Sequence, residues 1–171
     1  MPTKAPAHCV ELQRFIPMDV INSPEYQAVE KFYEGKVAKR SGVAYLSHIN
    51  EGINILHSLN ASERVMRAFA IHPIIQDSQA FKENLEALAD FDPVVVALAT
   101  EYRNTANGYL SKDFTGADDV IKKSPLDDVN LMLAADKAQN FRDLRRYNQD
   151  HPRFEELSQY FRNWLNALSA R

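Results

Sequence analysis

Residues 125–147, PLDDVNLMLAADKAQNFRDLRRY, decide the fold. Val129, Met132, Leu133, Asp136, Asn140 and Leu144 recur at three- and four-residue spacing and so share one face of a long helix. Asp136 and Asn140 interrupt an otherwise apolar face. A carboxylate in that position is costly to bury alone, so Asp136 should meet a metal, a cation or hydrogen-bond donors. Taken by itself it reads equally well as half of an internal salt bridge or as a capping contact.

Helical signals continue in both directions. Ser23-Pro24, Asp92-Pro93 and Ser124-Pro125 each set a capping side chain before a proline suited to a first helical turn. The stretch PEYQAVEKFYEGKVAKR is helical in composition and ends at Ser41-Gly42. VAYLSHINEGINILHSL carries Tyr45, Ile49, Ile53 and Leu56 at helical spacing, and Asn60 with Glu63 predicts a capped start for the segment that follows. Phe81, Leu85 and Leu88 mark a short helix. PVVVALATEYRNTANGYL is read as helix despite its β-branched run, because Asp92-Pro93 precedes it and no partner strand is evident. Residues 109–124, interrupted by Gly116, are read as a loop with a short helix inside. His151-Pro152 separates the long helix from a last amphipathic one, RFEELSQYFRNWLNAL. The expectation is an all-α fold with a single compact domain over residues 23–171 and an N-terminal extension over residues 1–22, which packs on the domain or joins two subunits and leaves a homo-oligomer open.

Composition narrows the function classes. A chain of 171 residues, 45 % hydrophobic and 25 % charged, suffices for one core. Its formal charge of −3 gives no general attraction to nucleic acid, and no apolar run is long enough for a membrane span. With a single cysteine, Cys9, no internal disulfide can form, and no signal-peptide pattern opens the chain, so a cytoplasmic protein is expected.

Two histidines join Asp136 as candidates. His48 shares a face with Tyr45, Gly52 and Ile55, and His72 extends the line of Val65, Ala68 and Phe69. Either one alone is a packed core residue. Together with Asp136, two imidazoles and a carboxylate suit a transition metal with open positions. His8, His57 and His151 have no comparable companions. In a plainer reading the histidines are structural and Tyr160, Phe161 and Trp164 form an interaction surface or bury a final helix.

The segments KRSGVAYLSHINEGINIL, AFAIHPIIQDSQAF, FDPVVVALATEYRN and LAADKAQNFRDLRR resemble, in order and separation, the HD-type hydrolase domain of the Rel/Spo family and its small stand-alone relatives, the metazoan SpoT homologues. Those proteins remove pyrophosphate from the alarmone ppGpp with manganese. The resemblance covers about residues 25 to 170, and the ADK-x-x-N-x-R run is its most specific part. It implies an HD-domain-like fold, a small-molecule nucleotide as substrate and a divalent metal, Mn before Fe or Zn. It also implies His48, His72 and Asp136 as metal ligands, Lys39, Arg40 and Asn140 as substrate contacts, and Gln76 and Asp77 in the place of the acidic pair that handles water. Pro73 stands where the family has the aspartate of its His-Asp pair, and Gln76 replaces a glutamate. Proline disfavours the helical conformation of the residue before it, so a helix break at His72 and weaker metal affinity are expected. The alternative is a catalytically degenerate HD-domain protein that binds a nucleotide or a protein partner.

Overall fold

Capping side chains start the helices that frame the molecule. Ser23 Oγ accepts the Tyr26 N–H at 3.2 Å and opens α2 (Pro24–Phe32), just after the short α1 (Met18–Ile21). Asp92 accepts the Val94 N–H at 2.8 Å and opens α7 (Pro93–Leu110). Between them lie α3 (Tyr45–Ser58), α4 (Glu63–Gln76), α5 (Ser78–Glu83) and α6 (Leu85–Leu88). The long α8 (Asp127–Tyr147) and α9 (Phe154–Ser169) follow. The computed structural model describes residues 13, 15–38, 42–83, 85–110 and 121–169. Among these the fold is all-α, and its β structure is limited to an isolated antiparallel bridge between Val37 and Ala44.

Helix α4 lies at the centre, packed by α2, α3, α7 and α8. Val65, Met66, Ala68, Phe69, Ala70, Ile71, Ile74 and Ile75 are buried along it, which is what a helix covered on all sides requires. One buried ion pair ties three elements together. Glu25 of α2 is fully buried and takes two hydrogen bonds from Arg67 of α4, at 2.8 and 3.0 Å, and the Asp92 N–H at the start of α7. Of the N-terminal extension, Ile16 and Val20 are buried in the same core. No described helix is long and apolar enough to cross a membrane.

Several boundaries differ from the sequence reading. Helix α2 stops at Phe32, ahead of Gly35 with its left-handed φ of 69°, and Val37 pairs with Ala44 in an antiparallel bridge beside Gly42, φ 67°. Asn60 does not cap α4. It is the left-handed residue, φ 56°, that ends α3, and Ser62 Oγ accepts the Val65 N–H instead. Ser124 lies ahead of α8 rather than capping it: its Oγ accepts the Leu126 N–H and donates to Glu101, while its backbone bonds the Asn130 side chain. The short helix expected over Phe81 to Leu88 is helical on both sides of residue 84, which lies outside the described residues. Tyr160 and Trp164 are buried between α8 and α9, so they supply core and not an exposed interface. Most of the loop expected at 109–124 lies outside the described residues.

Candidate metal centre

The expected break at His72 is absent, and α4 runs through Pro73 to Gln76. A proline inside a helix has no N–H for the carbonyl four residues earlier, here that of Phe69. His72 fills this vacancy: its Nδ1 lies 2.6 Å from the Phe69 oxygen. A carbonyl only accepts, so Nδ1 carries the proton and Nε2 the free lone pair.

His48 of α3 is fixed in the same sense by another route. Gln139 Nε2 donates to Glu51 at 3.1 Å and to Asp143 at 2.6 Å. With its nitrogen committed to two carboxylates, the amide turns Oε1 toward His48 Nδ1, which must therefore be the donor. Both imidazoles thus have Nδ1 tied to an oxygen. The remaining nitrogen of His48, Nε2, stands 3.3 Å from Asp136 Oδ1.

Asp136 projects from α8 between the two rings and is buried. Asn140 donates to Oδ1 at 2.8 Å, Lys137 Nζ to Oδ2 at 3.0 Å, and the Tyr102 hydroxyl bonds the same carboxylate. Ligating atoms of His48, His72 and Asp136 all lie within 4.8 Å of one another. Ring packing holds the set: Phe69 and Tyr102 each sit 4.8 Å from the His72 ring, centroid to centroid. Phe69 reaches this place because Gly52 of α3 has no side chain there.

The electrostatics follow from this packing. Burial depresses His72, to a pKa of about 4. Burial works against a charged His48 too, but the hydrogen bond and charge of Asp136 outweigh it and raise the pKa. Burial alone would raise Asp136, yet the charge of Lys137 and the two imidazoles hold it well below the usual carboxylate range. For Lys137, burial is overcome by Asp136 and the ammonium is favoured. Asp143 moves the other way, pushed up mainly by burial.

The cluster lines a cavity of about 510 Å³, large enough for a mononucleotide. Gln76, Pro73 and Asn140 line it with the three candidate ligands, and so do Glu51, Lys137, Gln139 and Asp143. Tyr33 and Tyr45, stacked at 5.4 Å, form part of its wall. Asp77 is not brought into this lining: it lies exposed at the end of α4, its carboxylate accepting the Gln79 N–H. Lys39 and Arg40 lie outside the described residues. The sequence reading did not single out Glu51, Gln139 or Asp143, although their spacing marks them: Glu51 is three residues from His48, and Gln139 and Asp143 are three and seven from Asp136.

The donor set suits a divalent transition ion. Two imidazole nitrogens and one carboxylate oxygen converge, each imidazole is oriented by a bond at its other nitrogen, and the adjoining cavity leaves positions for water or ligand. Scans against protein-family models, curated proteins and solved structures find no match for the chain.

Proposed function

We propose that this chain is a metal-dependent phosphohydrolase of the HD type that acts on a nucleotide, in the manner of the ppGpp pyrophosphohydrolases its motifs resemble. The observation that carries the reading is the convergence of His48, His72 and Asp136 on one point in a cavity of nucleotide size. His48, His72 and Asp136 would hold a divalent ion, Mn before Fe or Zn, which when bound would supply Lewis acidity toward a phosphoryl oxygen and lower the pKa of a bound water.

The chain's own residues divide the remaining work. Lys137, a buried residue of the cavity lining, offers positive charge to a phosphoryl oxygen while its Nζ holds Asp136 Oδ2. Asn140 orients Asp136 and presents the rest of its amide to the ligand. Gln76 positions a water by hydrogen bonds and takes no proton from it. The family's base position, Asp77, is outside the lining, so the proton of the attacking water passes to Asp143, a lining carboxylate whose raised pKa suits a base. Water adds to phosphorus, the phosphoester bond breaks, and the leaving oxygen takes up a proton from solvent.

The test is the metal content of the purified protein together with a nucleotide panel, including ppGpp and the common triphosphates, with and without Mn. Mn-dependent release of phosphate or pyrophosphate, lost with the metal in His72→Ala, supports the proposal. A protein that takes up neither Mn, Fe nor Zn and turns over nothing overturns it. Pro73, Gln76 and the position of Asp77 outside the cavity lining favour a second reading, a degenerate relative that binds a nucleotide or protein without chemistry. Nucleotide binding by calorimetry with no product formed would select that reading.

A further inference from the structure

We infer that Pro73, the residue standing where a ligand is expected, is a positioning residue for the metal centre: by withholding an amide proton it assigns the Phe69 carbonyl to His72 Nδ1 and sets His72 Nε2 as the coordinating atom. The metal consequence rests on the function proposed above. The tautomer assignment rests on geometry alone.

In an unbroken α-helix the Phe69 carbonyl accepts the amide of residue 73 and points along the helix axis. A proline ring at that position donates nothing and presses against this carbonyl, turning it outward. A buried carbonyl without a donor is costly, and the nearest donor is the imidazole of His72, three residues on. The 2.6 Å contact shows that His72 supplies it. The effect on the ring is specific. An unconstrained histidine prefers its proton on Nε2, which blocks coordination there. Donation from Nδ1 to a fixed backbone oxygen reverses that preference and fixes the ring direction as well.

The site is then symmetric in logic though not in parts. Gln139 performs this service for His48 and the Pro73-released carbonyl performs it for His72. A proline that removes one prospective ligand therefore strengthens the definition of another. A purely structural proline makes a different forecast, because exchanging an interior proline for alanine would raise stability and leave the imidazole unchanged.

Pro73→Ala and Pro73→Asp both restore the amide, and EDTA-treated protein at pH 8 reports the His72 tautomer through two-bond proton–nitrogen correlations of the imidazole. The expected result is Nδ1–H in the parent protein and a shift toward Nε2–H in both variants, with a higher urea midpoint for Pro73→Ala. Zn titrated into Pro73→Ala by calorimetry should bind at least about tenfold more weakly than into the parent. Unchanged imidazole spectra in either variant, or equal Zn affinity in a more stable Pro73→Ala, would overturn the inference. If the parent protein binds none of Mn, Fe and Zn and turns over nothing, the proposed function fails, and the spectra of the EDTA-treated proteins still decide the tautomer question.

Discussion

Gly52→Ala tests the packing that holds both imidazoles. Propensity alone favours the substitution, since alanine in a helix interior is better than glycine by about 1 kcal/mol. The structure predicts the opposite sign. A Cβ on Gly52 would fall well inside 3.0 Å of Cε1 and Cζ of Phe69 and 3.3 Å from Cδ1, so the ring would have to retreat until ordinary contact at 3.4 Å is restored. Phe69 is fully buried, and its ring lies 4.8 Å from that of His72 and 6.3 Å from that of His48. It has no free direction in which to move. Overpacking of this kind costs about 1–3 kcal/mol, and the upper part of that range applies where the obstructing group is a rigid ring. After the propensity gain the net loss is about 1–2 kcal/mol, or roughly 2–8 °C in Tm for a chain of this size. Urea denaturation of the two proteins measures it, and Phe69→Leu in the Gly52→Ala background should recover part of the loss by removing the ring atoms in the way. A Gly52→Ala protein more stable than the parent would refute the account of why Phe69, and through it His72, sits where it does.

Glu25→Ala strands Arg67 and the Asp92 N–H at the junction of α2, α4 and α7, and should cost about 3–5 kcal/mol in urea denaturation because the carboxylate is fully buried. Gln139→Leu removes the acceptor of His48 Nδ1 and the donor to two carboxylates; Zn affinity by calorimetry should fall about 10–100-fold, against no change if Gln139 only fills space. Metal-free protein should lose stability in acid. His72 is depressed from 6.5 to about 4, so the unfolded chain binds its proton first, and the stability it contributes is complete above pH 6.5 and lost as pH falls toward 4, by about 3 kcal/mol. His48, raised, acts in the opposite direction at the neutral end, where its contribution is still being gained as pH falls through 6.5; at the acid end Asp143, also raised, opposes the loss and Asp136, lowered, adds to it. Urea midpoints of the EDTA-treated protein between pH 7 and 4 should show this slope, and His72→Gln should flatten it.

The helices were legible wherever a local chemical signal specified them. Ser23-Pro24 and Asp92-Pro93 act through the backbone amides two or three residues ahead, which is information contained in the sequence itself. The end of α2 was not legible in the same way. Lysine, valine and alanine after Gly35 are compatible with helix, and the pairing of Val37 with Ala44, seven residues on, is not written in local spacing. Asn60 shows a related ambiguity, because the side chain that caps one helix also tolerates the left-handed conformation that ends another. At the site, His48, His72 and Asp136 stood out because each interrupts an apolar face. Gln139, Glu51 and Asp143 did not: polar residues at helical spacing look like a solvated surface until α3 and α8 are laid together. Pro73 was the least legible. Its effect on the chain pointed to a break, and only the imidazole beside the released carbonyl shows how the helix continues.

Asp136 raises the question of whether its ion pair with Lys137 replaces a metal or accompanies one. The two carboxylate oxygens answer differently. Oδ2 is held by Lys137, whereas Oδ1 faces His48 Nε2 and the Asn140 amide. The oxygen turned toward the imidazoles is therefore not the one bound to the ammonium, so coordination through Oδ1 leaves the Lys137 contact in place. Charge points the same way. Asp136 and Lys137 together are neutral, and His48 Nε2 faces Oδ1 at 3.3 Å, a contact that raises the pKa of the imidazole. A divalent ion bound there would use the Nε2 lone pair, so its binding would compete with protonation of His48. Of the other carboxylates in the cavity lining, Glu51 is paired with the Arg142 guanidinium and Asp143 accepts from Gln139, so a divalent ion at the centre would leave an excess of positive charge. An anionic ligand such as a phosphate ester is the group that such a centre would draw in.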